Sequence, residues 1–137
     1  MKSIRDEIDW RVPSASAWQG SETDLQVEIV TRSLALASDY PEIHLLHAIP
    51  NGDWRGFGTG IKLKAQGVIP GIPDLCMPVA RSLSHGFYLE LKKAKGSVKP
   101  AQWDVMTALH RGGYTVRLTN HLGVALDLIH NYLKREP

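Results

Sequence analysis

Residues 87–93 alternate apolar and polar side chains, and this pattern constrains the fold more than any other feature of the chain. Successive side chains of a β-strand leave opposite faces, so the phenylalanine and the two leucines of this segment share one face. Glu90 and Lys92 lie two residues apart and share the other face. The pattern predicts a strand that faces the core on one side and carries an acid–lysine pair on the other.

The segments around this strand show helical periods, short apolar runs and capping residues. Ser21 is typical of a helix N-cap, Pro100 suits the first position of a helix, and Asn120 is expected to cap the last helix. The predicted elements are a helix over 22–40, a strand over 43–49, a helical turn over 61–66, a short strand within 68–77, the strand over 87–93, a helix over 100–111, a strand over 114–118 and a helix over 122–133.

This order of elements predicts an α/β fold with a mixed four-stranded sheet flanked by helices. The first three strands have short connections, apart from the glycine-rich residues 52–60, and favour an antiparallel meander. The third strand, the next helix and the fourth strand favour a right-handed crossover with parallel pairing. Residues 1–20 show no clean period and are expected to form an irregular amino-terminal arm before a single domain over 21–137.

Composition narrows the class of protein. A length of 137 residues suits one domain, and the net charge of +2 is too small to indicate nucleic-acid binding by itself. The single cysteine, Cys76, excludes an internal disulfide and is expected to be a buried structural thiol. No apolar run approaches about 20 residues, and no signal peptide is evident, so we expect a soluble intracellular protein.

Three residues form the strongest candidate for chemistry. Glu90 and Lys92 lie on one strand, and Asp74 sits at the start of the preceding strand, its hairpin neighbour. A hairpin would therefore bring all three residues together. Two carboxylates suit a hard divalent cation such as Mg²⁺, and a lysine beside them can orient water or offset charge on a phosphate. Taken alone, however, Glu-X-Lys is a common pattern on a solvated strand face, and Pro-Asp is an ordinary turn.

Other polar residues leave two interpretations open. Lys92, Lys93, Lys95 and Lys99 crowd one segment and could bind phosphates, although a solvated lysine-rich loop is the commoner meaning of such a cluster. Trp54, Arg55 and Phe57 could stack on DNA or fold onto the core. His44 and His47 would lie on opposite faces of a strand, which disfavours a metal pair.

The dispersed motifs together resemble the PD-(D/E)XK nuclease superfamily, and within it the VRR-NUC group. The resemblance covers about residues 21–133, and its motifs follow one another in the family's order. They are Glu22-Thr23-Asp24-Leu25-Gln26, Ala48-Ile49-Pro50-Asn51-Gly52, Gly67-Val68-Ile69-Pro70-Gly71, Gly71-Ile72-Pro73-Asp74-Leu75, Tyr88-Leu89-Glu90-Leu91-Lys92, Lys99-Pro100-Ala101-Gln102-Trp103 and Gly112-Gly113-Tyr114-Thr115-Val116. The resemblance implies a restriction-endonuclease-like core of order α-β-β-β-α-β.

The resemblance also implies roles for individual residues. Asp74 and Glu90 would bind Mg²⁺ or Mn²⁺, with the backbone carbonyl of Leu91 as a further ligand, and Lys92 would be the catalytic lysine. Glu22 would complete the acidic cluster directly or through water. Gln102 is expected near the site, and the lysines at 93, 95 and 99 are expected to bind nucleic acid.

Glu28 is the alternative to Glu22 as the acid that the first helix contributes to the site. At 100° per residue it lies about 600° further round the helix, and hence off the face of Glu22.

The expected function is a metal-dependent endonuclease for branched DNA such as four-way (Holliday) junctions, acting as a homodimer, as in small stand-alone members often found in phages. The alternatives are a flap, nicking or restriction-like nuclease, or a catalytically silent DNA-binding module.

Overall fold

The computed structural model describes residues 2–50 and 60–137. Trp54, Arg55 and Phe57 therefore lie outside the described residues. The helices are α1 (Ile4–Ile8), α2 (Glu22–Ser33), α3 (Gly60–Ala65), α4 (Pro100–Arg111) and α5 (Leu122–Leu133). The strands are β1 (His47–Ala48), β2 (Leu75–Met77), β3 (Phe87–Leu91) and β4 (Thr115–Thr119).

The four strands form one mixed sheet in the order β1-β2-β3-β4. β1 pairs with β2 and β2 with β3 in antiparallel fashion, whereas β3 pairs with β4 in parallel. The antiparallel meander and the parallel pair are therefore confirmed. The strands are paired so that Leu75 lies opposite Leu89 and Met77 lies opposite Phe87, which gathers the apolar side chains on one face.

Each face of the sheet has its own core. The larger core contains Leu89 and Leu91 of β3 together with residues of α2 and α5, such as Leu25 and Ile129. The smaller core joins α1, α4 and β4 through Ile8, Met106, Val116 and Leu118, with Tyr88 packed against it. Because side chains alternate along β3, Glu90 leaves the sheet on the same face as Tyr88, toward α4.

Two predicted elements differ most from the observed bounds. The strand expected over 43–49 is wrong for most of its length, because Pro41–Leu45 is a 3₁₀ helix and only His47–Ala48 is strand. The proline starts this turn, and its short-range bonds include Ile43 N–H to the Tyr40 carbonyl, 3.0 Å. The helix expected over 22–40 ends at Ser33 and continues as a 3₁₀ turn over Leu34–Leu36.

The amino-terminal arm is more ordered than its sequence indicated. The prediction of an irregular segment is wrong for Ile4–Ile8, which is helical and begins with a capping box between Ser3 and Asp6. Ile8 is fully buried. The chain then runs beside β4, where Trp10 N–H donates to the Leu118 carbonyl at 2.8 Å.

Asn120 holds the next part of the arm instead of capping α5. Its Oδ1 accepts from Val12 N–H at 2.9 Å, and its Nδ2 donates to the Val12 carbonyl at 3.0 Å. The cap of α5 is His121, whose Nδ1 accepts from Val124 N–H. The expected cap was wrong by one residue because Asn120 is buried and its amide is used by the arm.

Candidate metal centre and active site

The loop before β2 places Asp74 beside the start of α4. Gly71 has a φ of +86°, and a Cβ at this position would lie 2.6 Å from the Ala101 carbonyl oxygen. A larger residue would therefore push the loop away from α4, as well as straining its backbone. The other end of the loop is fixed by Ile49 N–H, which donates to the Asp74 carbonyl at 2.9 Å.

Both candidate carboxylates converge on one backbone amide. Leu91 N–H donates to Asp74 Oδ2 at 2.8 Å and to Glu90 Oε1 at 3.2 Å. The hairpin pairing of β2 with β3 creates this meeting point, since Leu75 lies directly opposite Leu89. The sequence prediction that Asp74 reaches the face of Glu90 thus has a structural basis in the register.

The polar face of β3 is buried rather than solvated. Only 2% of Glu90 and 6% of Lys92 are exposed. Acids and lysines almost never become fully buried unless they are paired or coordinate a cation. The alternative interpretation, that Glu90 and Lys92 lie on a solvent-exposed strand face, is therefore wrong. We call Asp74, Glu90 and Lys92 the acidic centre.

Gln102 fixes the orientation of the glutamate from α4. Its Oε1 accepts from Lys99 N–H at 2.9 Å, at the first turn of the helix. Its Nε2 donates to Glu90 Oε2 at 3.3 Å. The bond to Lys99 sets which end of the amide faces Glu90, and α4 thereby offers the carboxylate a donor.

The charge balance of the acidic centre disfavours two bare carboxylates. Burial, together with hydrogen bonding and charge from the neighbouring Asp74 carboxyl, raises the pKa of Glu90 from 4.5 to about 10. The Lys92 ammonium and the Leu91 N–H oppose this shift but do not cancel it. One lysine is thus too little positive charge for both carboxylates, and an additional cation would restore the balance.

The donor set fits Mg²⁺ or Mn²⁺. These ions accept carboxylate and carbonyl oxygens, and Mg²⁺ is commonly held by one or two carboxylates while it keeps several waters. Asp74 and Glu90 supply two carboxylates that meet at the same backbone N–H, that of Leu91. Across residues 2–50 and 60–137, no group of three or more His, Cys, Asp or Glu side chains could hold a metal ion, so the protein offers two acidic side chains rather than a full cage.

Glu22 approaches the end of the same strand from the other side. It is the first residue of α2, and its Oε1 accepts from Lys93 N–H at 3.2 Å. It does not join Asp74 and Glu90 in a three-acid group. The competing acid, Glu28, instead forms an ion pair with Arg32 one turn further along α2, at 2.8 Å.

The lysines after β3 lie beside a groove. Lys93 and Lys95 are exposed and line an open space of about 520 Å³. Its opposite wall comes from the arm, at Ser14 and Gln19. Lys99 is exposed at the N-cap of α4. The lining residues of this groove include lysines but no acid, so its charge suits phosphate groups.

Sequence reasoning missed the wall that the arm contributes. Residues 14–20 have no helical or strand period, so periodicity gives no reason to place them near the acidic centre. The signal that could have found the start of the arm is the Ser3-X-X-Asp6 capping box, followed by Ile8 at the right spacing for burial.

The remaining candidates from the sequence, Cys76, His44 and His47, are not part of the acidic centre. Cys76 is buried as expected, and burial raises the pKa of its thiol despite a hydrogen bond with Tyr88. His44 and His47 are both exposed. His44 lies in the 3₁₀ helix and His47 in β1, so the expectation that they share one strand is wrong.

Among the solved structures that are similar to this chain, two are described as VRR_NUC proteins. One, described as a VRR_NUC domain protein, has a TM-score of 0.72 and 25% identity over 85% of this chain and 91% of its own. Another, described as a VRR_NUC domain, has a TM-score of 0.52 and 18% identity over 81% of this chain and 96% of its own. No family model and no curated protein matches the sequence.

These likenesses confirm the resemblance drawn from the motifs. The chain has the VRR-NUC fold, with a restriction-endonuclease-like core of a mixed four-stranded sheet flanked by helices. Among the described residues, no helix is both long and apolar enough to cross a membrane.

Proposed function

We propose that this chain, whose fold is that of the VRR-NUC proteins, is a metal-dependent endonuclease that hydrolyses phosphodiester bonds in DNA. The observation that carries the proposal is the burial of Glu90 and Lys92, at 2% and 6% exposed, next to an aspartate tied to the same strand. A fold gains no stability from two neighbouring carboxylates, one of them almost wholly buried, beside a single lysine, so their presence points to a role in binding or chemistry.

The residues of the acidic centre have separate roles in this proposal. Asp74 and Glu90 would hold Mg²⁺ or Mn²⁺, with the carbonyl oxygen of Leu91 as a further ligand. When bound, the cation would polarise the scissile phosphate and lower the pKa of an attacking water. Lys92 would orient that water or offset the charge that builds on the phosphate. Gln102 would keep Glu90 turned toward the centre through its Nε2 donor.

Residues around the centre would assist. Glu22 would act through a water molecule, since its carboxylate is already bonded to Lys93 N–H. Lys93, Lys95 and Lys99 would contact backbone phosphates next to the cut, because they follow Lys92 in the chain and two of them line the groove. Such contacts carry no sequence information and become weaker with added salt.

The substrate preferred by this proposal is branched DNA, in particular a four-way junction. This step rests on the likeness to small VRR-NUC proteins and on symmetry. One domain with one acidic centre cuts one strand, whereas a homodimer brings two centres related by a two-fold axis, which matches the symmetry of a junction. We therefore propose that the acting species is a homodimer.

The test is cleavage of a labelled four-way junction beside duplex, flap and single-stranded DNA, in Mg²⁺, Mn²⁺ or EDTA. Asp74→Ala and Lys92→Ala are expected to lose at least about 100-fold in rate, the usual scale for a positioned catalytic group. Symmetric cuts that need the metal would support the dimeric junction enzyme. Cutting confined to flaps or nicks would support the nuclease activity but would contradict the four-way junction as its substrate.

Matched controls separate chemistry from general charge loss. Glu28→Ala removes a carboxylate that is ion-paired on α2, and Lys134→Ala removes an exposed lysine after α5. Both are expected to cut at the wild-type rate. If the wild type binds DNA but cuts none of the substrates with either metal, the nuclease proposal fails and a silent DNA-binding module replaces it.

A further inference from the structure

A cavity lies on the face of the sheet opposite to the acidic centre. Its volume is about 320 Å³, and its walls come from β4, α5 and the arm. Arg117 enters it because side chains alternate along β4, so that the buried Val116 and Leu118 face α4 while Arg117 faces α5. Arg135, just beyond the end of α5, enters from the other side. We call this space the arginine cavity.

The two guanidinium groups are held at neighbouring positions of β4. Arg117 Nη1 donates to the Val116 carbonyl at 2.9 Å, and Arg135 Nη1 donates to Thr115 Oγ1 at 3.0 Å. A guanidinium has five N–H donors in a rigid fork. Each arginine therefore keeps donors beyond the bond that anchors it, and both side chains are half-buried rather than spread in solvent.

The charges in this cavity are not balanced. Burial and then the positive charge of Arg135 lower the pKa of Arg117, while Glu7 opposes the shift. Glu7 is itself engaged, since its Oε2 lies 3.2 Å from His110 Nε2. In the described part of the chain, no carboxylate forms an ion pair with either arginine. Asp127 lines the cavity but is exposed, which leaves two positive groups against one solvated acid.

Aromatic rings keep both guanidinium groups in place. The central carbon of Arg117 lies 6.0 Å from the centre of the Trp10 ring, and that of Arg135 lies 5.1 Å from the Tyr132 ring. Tyr132 is buried and its hydroxyl donates to the Val79 carbonyl, so this ring is fixed. Trp10 is 48% exposed and forms an open wall on which a planar group could pack.

We propose that the arginine cavity binds a phosphate group through the free N–H donors of Arg117 and Arg135. Two guanidinium forks match the oxygen geometry of a phosphate, and a dianion offsets both charges, which a single carboxylate does not. The volume exceeds the needs of a lone anion and falls in the range of small-ligand pockets. The phosphate can belong to a free nucleotide or to a nucleic-acid strand. This inference does not depend on nuclease activity.

The test is calorimetric titration of the full-length protein in EDTA, at constant ionic strength set with chloride. The probes are inorganic phosphate, thymidine 5′-monophosphate and a short DNA duplex. Saturable binding of both small probes is expected, and each of Arg117→Gln and Arg135→Gln should weaken it by about 10-fold, the scale of one charge-assisted hydrogen bond. Arg111→Gln removes an exposed arginine at the end of α4 and should bind like the wild type.

Two further comparisons complete the test. Arg117→Lys and Arg135→Lys keep the charge but lose the fork, so they should weaken binding less than the glutamine variants and serve in their place if those fail to fold. Competition by the duplex assigns the phosphate to a nucleic-acid strand, and its absence assigns it to a free nucleotide. No saturable binding by the folded wild type, or equal loss in Arg111→Gln, would overturn the proposal.

Discussion

The acidic centre and the arginine cavity lie on opposite faces of one sheet and have opposite excess charge. The acidic centre gathers two carboxylates around one amide and one lysine; Glu90 and Lys92 are almost wholly buried, and Asp74 is half-buried. The arginine cavity gathers two guanidinium groups that are half-buried beside an open tryptophan. In both places like charges stand side by side, which is unfavourable until an ion of the other sign is present.

The difference in their support indicates different roles. Asp74 and Glu90 are fixed by backbone N–H and by Gln102, as chemistry at a defined position requires. The arginines are anchored by one bond each and keep spare donors, as suits binding of a ligand without chemistry. The acidic centre, on the face of the sheet that packs against α4, is therefore a rigid site. The arginine cavity, on the face that packs against α5, is an accessible one.

The largest expected effect separates activity from stability at the acidic centre. Glu90→Gln keeps the shape of the side chain but removes its charge, so cleavage is expected to fall at least about 100-fold. The free energy of unfolding in EDTA should stay equal or rise, because the wild type must take up a proton at Glu90 to avoid repulsion with Asp74, whereas glutamine is neutral without one. Cleavage assays and urea denaturation of the same preparations measure both.

Glu28→Gln is the control for this variant, since it alters an exposed acid of α2 that is bonded to Arg32. It should leave both quantities unchanged. Retained cleavage by Glu90→Gln, or a clear loss of its stability in EDTA, would mean that the glutamate is a structural group and would remove the contrast between the two sites.

Much of this architecture follows from local sequence signals. The alternation in β3 predicted which side chains share a face, and Pro100 with the following glycines predicted the bounds of α4. The pairing of Asp74 with Glu90 could be expected because a hairpin joins their strands. These features depend on residues close together in the chain, where periodicity and capping are informative.

The features that were missed depend on long-range contacts. Asn120 has the residue type of a helix cap, yet its amide bonds to Val12, 108 residues away. Arg117 interrupts an apolar strand and gives no sign in the sequence that Arg135 lies beside it. The burial of Lys92 also depends on the packing of the whole sheet. Periodicity contains no information on which distant segments meet.

The second prediction tests whether each site responds to an ion of its own sign. Magnesium at about 100 times its dissociation constant should stabilise the wild type by about 2.7 kcal/mol, because it binds the folded state alone. Asp74→Ala should lose this gain and keep the gain from phosphate, while Arg117→Gln should show the reverse. Thermal or urea unfolding with each ion measures both gains.

Independence of the two sites is what this prediction requires. Lys134→Ala, changed after the end of α5, should respond to both ions like the wild type. If either variant loses both gains, the sites are coupled through the sheet, and their description as separate sites is wrong.

A third prediction concerns the arm, which contributes to both regions. Ser14 and Gln19 line the groove beside Lys93, and Trp10 lines the arginine cavity. Asn120→Ala leaves Val12 N–H and its carbonyl without their partner, at a cost of about 1–3 kcal/mol. We expect lower stability, measured by urea unfolding, and weaker phosphate binding.

The matched change in the same arm is Gln19→Ala. The Gln19 amide donates to the Ser14 and Ala17 carbonyls from an exposed position, so its removal should cost less than that of the buried Asn120. Equal effects from both changes would show that Asn120 is not the anchor that joins the arm to the two sites.

The last prediction is a pH dependence that distinguishes the two regions. The pKa of Glu90 is raised from 4.5 to about 10, so between these values the folded protein binds a proton that the unfolded chain has released. Stability in EDTA should therefore fall as pH rises through this window, by at most about 1.4 kcal/mol per pH unit.

Glu90→Gln should flatten this dependence of stability on pH, and Mg²⁺ should do the same in the wild type by favouring the carboxylate form. Arg117→Gln should leave the slope intact, since an arginine stays protonated over this range. Urea unfolding at pH 6 and pH 9 measures the slope, and a flat curve for the wild type in EDTA would mean that the two carboxylates do not share a proton.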